Sequence, residues 1–277
     1  MTRRRDLQIQ WIKFVVLVVV TFILITPIIM IVVNSLKSNT EFMTSSSLLP
    51  HHVTLSNYLS LNQQVPFFTF LRNSGYVSVV STLLAILVGS TGGYALSRFK
   101  FKWIKRYSMF LLLVQMFPVT LMLIPLFMIF KAMGIIGTEW PVIAVYVSLQ
   151  LAFATWMSSG FFDSIPMDLE EAAWIDGCSR AGGIFRVVIR LAVPGLIAVA
   201  IFAFLLAWND FFIATIFLHD TRLMTIPLGI QMFIQQYSAQ WGSLMAASTL
   251  ASLPVVILFL FIQRYIVKST VAGAVKG

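Results

Sequence analysis

Six stretches of nearly unbroken apolar residues constrain this chain more than anything else in it. They fall at about 11–33, 69–97, 106–130, 141–161, 192–218 and 244–264, with ends placed to roughly 2–4 residues. Each reaches about 20 residues, the helical length that crosses about 30 Å of hydrocarbon. Core helices of a water-soluble domain are the simpler assignment, and composition argues against them. The chain is 59% hydrophobic and 10% charged, where a soluble domain carries about a quarter charged residues. Lipid offers no partner to a backbone amide or carbonyl, so each span is expected to be a helix. A barrel would need alternating strands of about 10 residues, and these runs are too continuous. The first run is longer than a secretion signal and lacks a small-x-small cleavage pattern, so it is expected to stay as a span. The expected fold class is an all-α polytopic membrane protein, one transmembrane domain over residues 1–277.

The basic residues set a direction. With the N-terminus cytoplasmic, the inner segments hold Arg3, Arg4, Arg5, Lys13, Arg98, Lys100, Lys102, Lys105, Arg106, Arg180, Arg186, Arg190, Arg264, Lys268 and Lys276. The outer segments hold Lys37, Arg72, Lys131 and Arg222, a division of 15 against 4. Positive charge collects on the cytoplasmic side of membrane proteins, so both termini are expected there. The net charge of +9 forms no stripe on a soluble domain, which argues against nucleic acid as a partner. The single cysteine, Cys178, permits no intrachain disulfide and is expected to be small filler. His51, His52 and His219 lack metal-ligand spacing, and no metal site is expected.

Two outer loops, 34–68 and 219–243, are long. The one long inner loop, about 162–191, carries the most polar knot of the chain, Glu170–Gly177, reading EEAAWIDG. Its grammar is that of a short helix from Leu169 to Asp176. Pro166 precedes it, Asp168 is the expected N-cap with Glu171 three positions on, and Gly177 suits a left-handed C-terminal stop. Ala172 and Ala173 leave part of the helix smooth. Ser179 is expected to cap a second helix, with Arg186 and Arg190 on one face. On physical grounds alone, an ordinary capped helix lying on the membrane surface is the favoured reading of these features. Acid–base catalysis is disfavoured, because neither a nucleophile nor an enclosed pocket accompanies the carboxylates.

The stretch EEAAWIDGCSRAGGIFRVVIRLAVPGL resembles the EAA loop of ABC-importer membrane subunits, through Glu171, Ala172, Ala173, Asp176, Gly177, Ile189, Leu191 and Pro194. NSLKSNTEF, LSNYLSL, LRNSGY, AWNDFF and the final QRYIVKSTVAGAVKG extend the likeness to the six-span, maltose-type carbohydrate permeases, over nearly the whole chain. The resemblance implies a permease fold of the type I importers. It implies a coupling helix seated on a cytoplasmic ATPase through Glu170, Glu171, Ala172, Ala173, Asp176 and Gly177. It implies as partners a second permease in a heterodimer, two ATP-binding subunits and an extracytoplasmic sugar-binding protein, in a bacterial or archaeal cytoplasmic membrane. The family often has Pro where Arg190 stands, and Ala181-Gly182-Gly183 is unusually glycine-rich, two departures confined to the second half of the loop. The chain has no GxxxxGK[ST] phosphate loop, so ATP and Mg are expected on the partner ATPase and no cofactor on this chain. The glycines of GSTGGY, at 89–94, are expected to serve close helix packing.

A sugar cannot cross hydrocarbon with its hydroxyls unpaired. Gln115, Thr120, Ser148, Gln150, Asn209 and Asp210 are the intramembrane polar groups available to line a path. Asp210 is the costliest to bury and is expected to face the bundle interior, with a structural hydrogen bond or ion pair favoured over substrate contact. By the resemblance, Met232, Phe233, Gln235, Gln236 and Tyr237 of the second outer loop reach the binding protein. A cap over the bundle is the plainer role for that loop. The resulting expectation is half of the translocation path of a binding-protein-dependent, ATP-driven importer for a carbohydrate, with an oligosaccharide favoured. The alternative is a self-sufficient proton-coupled carrier using Asp210, for which inverted repeats would be the signature.

Overall fold

The structure, a computed structural model, describes the backbone of residues 2–235 and 240–274 and the side chains of residues 9–234 and 240–263. In chain order the helices are α1 (Thr2–Ser35), α2 (Asn39–Thr44), α3 (Ser56–Gln64), α4 (Phe67–Arg98), α5 (Lys102–Met116), α6 (Val119–Ala132), α7 (Trp140–Asp163), α8 (Asp168–Ile175) and α9 (Arg180–Gly183). A π-helical turn at Ile184–Val188 then leads into α10 (Ile189–Trp208), α11 (Phe212–Phe217), a 3-10 turn at Thr221–Leu223, α12 (Ile226–Gln235) and α13 (Trp241–Ala274). No strand occurs among the described residues.

Among the described residues, five helical stretches are long and apolar enough to cross a membrane: Ile9–Ser35, Phe67–Arg98, Trp140–Asp163, Arg180–Trp208 and Trp241–Gln263. They carry the first, second, fourth, fifth and sixth expected spans. The third differs from the single rod expected over 106–130. It is two helices, α5 and α6, bent by 94°. Pro118 has no N–H to continue the ladder and drives Phe117 into extended backbone, at φ −74° and ψ 126°. The fifth span also ends early, at Trp208 rather than 218. Asp210 accepts the amide N–H of Ile213 at 3.0 Å and of Ala214 at 3.2 Å through Oδ2, which starts α11 as a separate helix.

The chain divides into two compact units. One comprises Met1–Phe67 and Gly229–Leu253. Its apolar stretch in α1 is exposed along its length, as befits a surface meeting lipid or another protein chain. Asn57 is buried and donates from Nδ2 to the carbonyls of Ser35 and Lys37, both at 2.7 Å, which fixes α3 against the end of α1. A Cβ on Gly242 would lie 2.6 Å from Asn57 Oδ1, so only glycine lets α13 begin there.

The other unit comprises Phe68–Leu228 and Pro254–Gly277. Small residues draw α4 onto α7. A Cβ on Gly89 would fall 2.6 Å from Ala154 Cβ, and one on Gly93 would fall 2.8 Å from the Thr155 carbonyl oxygen, so the expected close packing at 89–94 is present. One core joins Val77 of α4, Leu123 and Phe130 of α6, Val142, Ile143 and Tyr146 near the start of α7, and Phe217 of α11. At the other end, Arg98 of α4 reaches the carbonyls of Phe162 and Ile165, so the C-termini of α4 and α7 meet. The bent pair thus leaves α4 where α7 ends and delivers the chain to where α7 begins.

Candidate functional site

The polar loop after α7 folds as expected into a short helix, with one change at its start. Asp168 is the first residue of α8 rather than its cap, and no side chain caps this end. The Met167 carbonyl takes the amides of Glu170 at 2.9 Å and Glu171 at 3.1 Å, so the turn set by Pro166 does the work expected of Asp168. Asp168, Glu170 and Glu171 all fall in the first turn, where the helix dipole favours negative charge. At the other end Gly177 adopts φ 87°, the Gly177 amide donates to Trp174 and the Cys178 amide donates to Ala173. This pairing satisfies two of the last carbonyls and needs a left-handed residue.

Glu170 is fully buried. Its Oε1 accepts from Arg98 Nε at 2.5 Å and its Oε2 from the Tyr94 hydroxyl at 2.8 Å. Arg98 also donates to the Phe162 and Ile165 carbonyls and to Ser97 Oγ, each at 3.1 Å. One guanidinium therefore ties together the end of α4, the end of α7 and the first turn of α8. Beside this polar knot, Phe162, Ile165, Val188 and Ala192 form a small core, and Tyr94 meets Phe162 edge to face at 5.7 Å.

The six expected coupling residues divide by direction. Glu170 and Ala173, three apart, face inward and are buried; Glu171, Ala172, Asp176 and Gly177 face out. The two alanines cannot form one smooth face, because successive helical residues point about 100° apart. Ile175, absent from the expected set, stands out at 86% exposure, and Leu169 and Asp168 join the same outer face. Ser179 caps the next helix as expected, its Oγ accepting from the Gly182 amide at 3.1 Å. The glycine-rich segment is ordered into α9, and a Cβ on Gly183 would press to 3.0 Å from Trp174 Nε1. A π-turn spans Ile184–Val188, so Arg190 sits in continuous helix just beyond a wide turn. Such turns recur at functional sites.

The expected path residues differ in their surroundings. Gln115 and Thr120 flank the break at Phe117–Pro118 and are exposed. Ser148 is exposed and bonds back to the Ala144 carbonyl at 2.8 Å, and Asn209 bonds back to Leu205 at 2.9 Å. Gln150 is buried, with Nε2 on the Ala203 carbonyl at 3.0 Å and a buried Oε1 that has no partner among the described residues. Asp210 takes the Tyr146 hydroxyl at 2.7 Å on the same oxygen that caps α11. Of the expected binding-protein contacts, Phe233 is fully buried, Met232 is half-buried and Gln235 is described as backbone only. Gln236 and Tyr237 lie outside the described residues.

Arg98 and Tyr94 were visible in the sequence only as an interfacial charge and a span residue. The signal that pairs them with Glu170 is their spacing, since residues four apart share a helix face. Tyr146 carried no comparable signal.

Residues 81–271 match the family model described as "Binding-protein-dependent transport system inner membrane component". The chain is 39% identical over 261 residues to the inner membrane ABC transporter permease protein YcjP of Escherichia coli, covering 92% of this chain and 93% of that one. It is 37% identical over 252 residues to the sulfoquinovosyl glycerol transport system permease protein SmoH of Agrobacterium fabrum, covering 91% and 88%. Among solved structures it resembles a chain of a bacterial ABC transporter involved in the import of the acidic polysaccharide alginate, with TM-score 0.80, 21% identity and 95% and 98% coverage. At that identity the likeness speaks for the fold.

Proposed function

The chain belongs to the family of inner membrane components of binding-protein-dependent transport systems, and from that premise we propose that it is one half of the translocation path of an ATP-driven carbohydrate importer. An oligosaccharide or glycoside is the substrate class favoured, because relatives are named for sulfoquinovosyl glycerol, diacetylchitobiose and trehalose/maltose. Its partners are a second permease chain, two ATP-binding subunits that carry ATP and Mg, and a sugar-binding protein outside. Both termini lie in the cytoplasm.

The observation that carries this function is the way α8 is held. Glu170 faces inward onto Arg98, and the opposite face, with Asp168, Glu171, Ala172, Ile175 and Asp176, is left free. A rigidly tethered helix with an apolar knob and a carboxylate rim is built to be pushed by a docked subunit. Closure of two ATPases around ATP would move α8, and Arg98 would pass that motion to the ends of α4 and α7. The bundle then exchanges between two states that ATP binds unequally. The Asp210-based carrier receives no comparable support, because Oδ2 is taken by Tyr146 and two helix amides.

The test is Ile175→Asp in the full complex reconstituted in proteoliposomes. Ile175 is 86% exposed, so insertion should be unchanged. ATPase stimulation and uptake should fall at least tenfold. Uptake at the wild-type rate with α8 so altered would overturn the coupling role.

A further inference from the structure

At the end of the bundle where α4 and α7 finish, a cavity of about 460 Å³ opens between α4, α5 and α7. Lys100, Lys102 and Lys105 line its rim. No carboxylate lines it, and among the described residues these three lysines belong to no ion pair. Lysines left unpaired beside one another repel, and the charge asks for an anion.

The rest of the lining is graded. Trp156 precedes the last residue of α7 by seven positions, about 10 Å of helix toward the bilayer interior at 1.5 Å per residue. Ser108 lies a similar distance into α5. Leu96, Phe99, Phe101 and Ile104 form the rest of the apolar wall. Trp103, between Lys102 and Ile104 in sequence, is 70% exposed, and the Arg106 guanidinium lies over its ring at 4.8 Å. Tryptophan and lysine at such a level mark the headgroup region of a bilayer. The start of α5 adds to the field, because Phe101 offers no side-chain cap and no acid occupies the first turn.

The geometry points to a phospholipid site: the cavity holds the phosphate of an anionic phospholipid against Lys100, Lys102 and Lys105, with its glycerol and upper acyl chains running past Ser108 to Trp156. A free phosphate shares the headgroup chemistry but would leave the tryptophan-lined depth unused. This site does not require that α8 couples to an ATPase. It requires only that α4 and α7 span a membrane.

The test uses the full chain with the subunits that accompany it, in mild detergent, stripped of lipid and then titrated with phosphatidylglycerol or phosphatidylcholine under native mass spectrometry. Phosphatidylglycerol should be retained preferentially. A Lys100→Gln, Lys102→Gln, Lys105→Gln chain should bind it on the order of a hundredfold more weakly, from three surface charges. The matching Lys→Arg chain should bind normally, and so should Lys131→Gln, which removes a charge at the far end of the bent pair. A photoactivatable phosphatidylglycerol should label wild-type chain between Leu96 and Ser108 or around Trp156, a readout independent of the variants' folding. Equal retention of both lipids, equal binding by the Lys→Gln chain, or labelling elsewhere would each overturn the site. Competition by millimolar inorganic phosphate as effective as by lipid would reassign it to a free anion, and cross-linking of this segment to an ATPase subunit would reassign it to a protein contact. Failure here with coupling intact would leave α8 untouched, because Ile175→Asp reads coupling and the lipid titration reads only this site.

Discussion

Arg98 and Glu170 lie 72 residues apart in sequence and meet at 2.5 Å, with their side chains 9% and 0% exposed. The pair converts a surface loop into a fixture of the transmembrane bundle. Removing one member of such a buried pair strands the other charge, at a cost of roughly 3–5 kcal/mol. Glu170→Ala and Arg98→Ala should each lower thermal stability in detergent by that order and abolish uptake. The double variant should be less destabilised than the sum of the two, because no charge is then left alone. A cycle of the four proteins, followed by tryptophan fluorescence on heating, measures the coupling directly.

Gly177 closes α8 at φ 87°, and a Cβ there would touch nothing within 4 Å. Gly177→Ala therefore carries backbone strain alone, about 1–2 kcal/mol. Gly177→Asn should recover most of it, since asparagine tolerates this conformation. Uptake should rank glycine above asparagine above alanine, with membrane insertion equal in all three.

Along α4, glycines differ in what surrounds them. Gly93→Ala would press a methyl to 2.8 Å from the Thr155 carbonyl and should cost about 1–3 kcal/mol by overpacking. Gly75→Ala meets nothing within 4 Å and should be neutral or slightly stabilising. Melting temperatures of the two variants in the same detergent separate packing from helix propensity.

Tyr146→Phe deletes the hydroxyl that donates to Asp210 at 2.7 Å and should cost about 1 kcal/mol. Asp210→Asn keeps an acceptor for the amides of Ile213 and Ala214. It should leave uptake within a few-fold of wild type and insensitive to an imposed pH gradient. A gradient-driven uptake without ATP, lost in Asp210→Asn, would instead favour the proton-coupled carrier.

In the segment between α1 and α4, the backbone amide of His51 donates to Glu41 at 2.6 Å, and with its ring nitrogen beside the carboxylate this holds the Glu41 pKa below the ordinary 4.5. A depressed carboxylate contributes its stabilisation above the unfolded-state pKa and loses it as pH falls through the folded one. Pepsin cleavage between residues 41 and 51 should therefore rise below pH 4.5 in wild type. Glu41→Gln, compared at each pH, should be cleaved readily throughout.

Most of the architecture was legible from hydropathy, because hydrocarbon enforces helices wherever apolar runs are long enough. Breaks within spans were harder. Pro118 announced a loosened helix, yet proline also occurs inside α1, α10 and α13 without a comparable separation into two helices, so composition alone does not give the 94° turn. The break at Asn209–Phe211 depends on where the Asp210 carboxylate points. In the loop, Gly177 and Ser179 were legible because capping is local chemistry. Glu170 was not, because its partner Arg98 comes from another helix, and adjacent glutamates look alike until the helix is oriented. The alanine pair failed for the same reason.

The bend at Phe117–Pro118 also governs the parity of the membrane crossings. Had α5 and α6 turned back to the side they left, every later segment would change sides, and lysine and arginine would divide 11 against 8 instead of 15 against 4. The C-termini of α4 and α7 meet at Arg98, while Phe130 packs with Val142 and Ile143 at the far end of α7, so the bent pair counts as one passage. A fractured helix therefore does the topological work of a straight one, carrying the chain from the end of the bundle that holds Arg98 to the end that holds Val142.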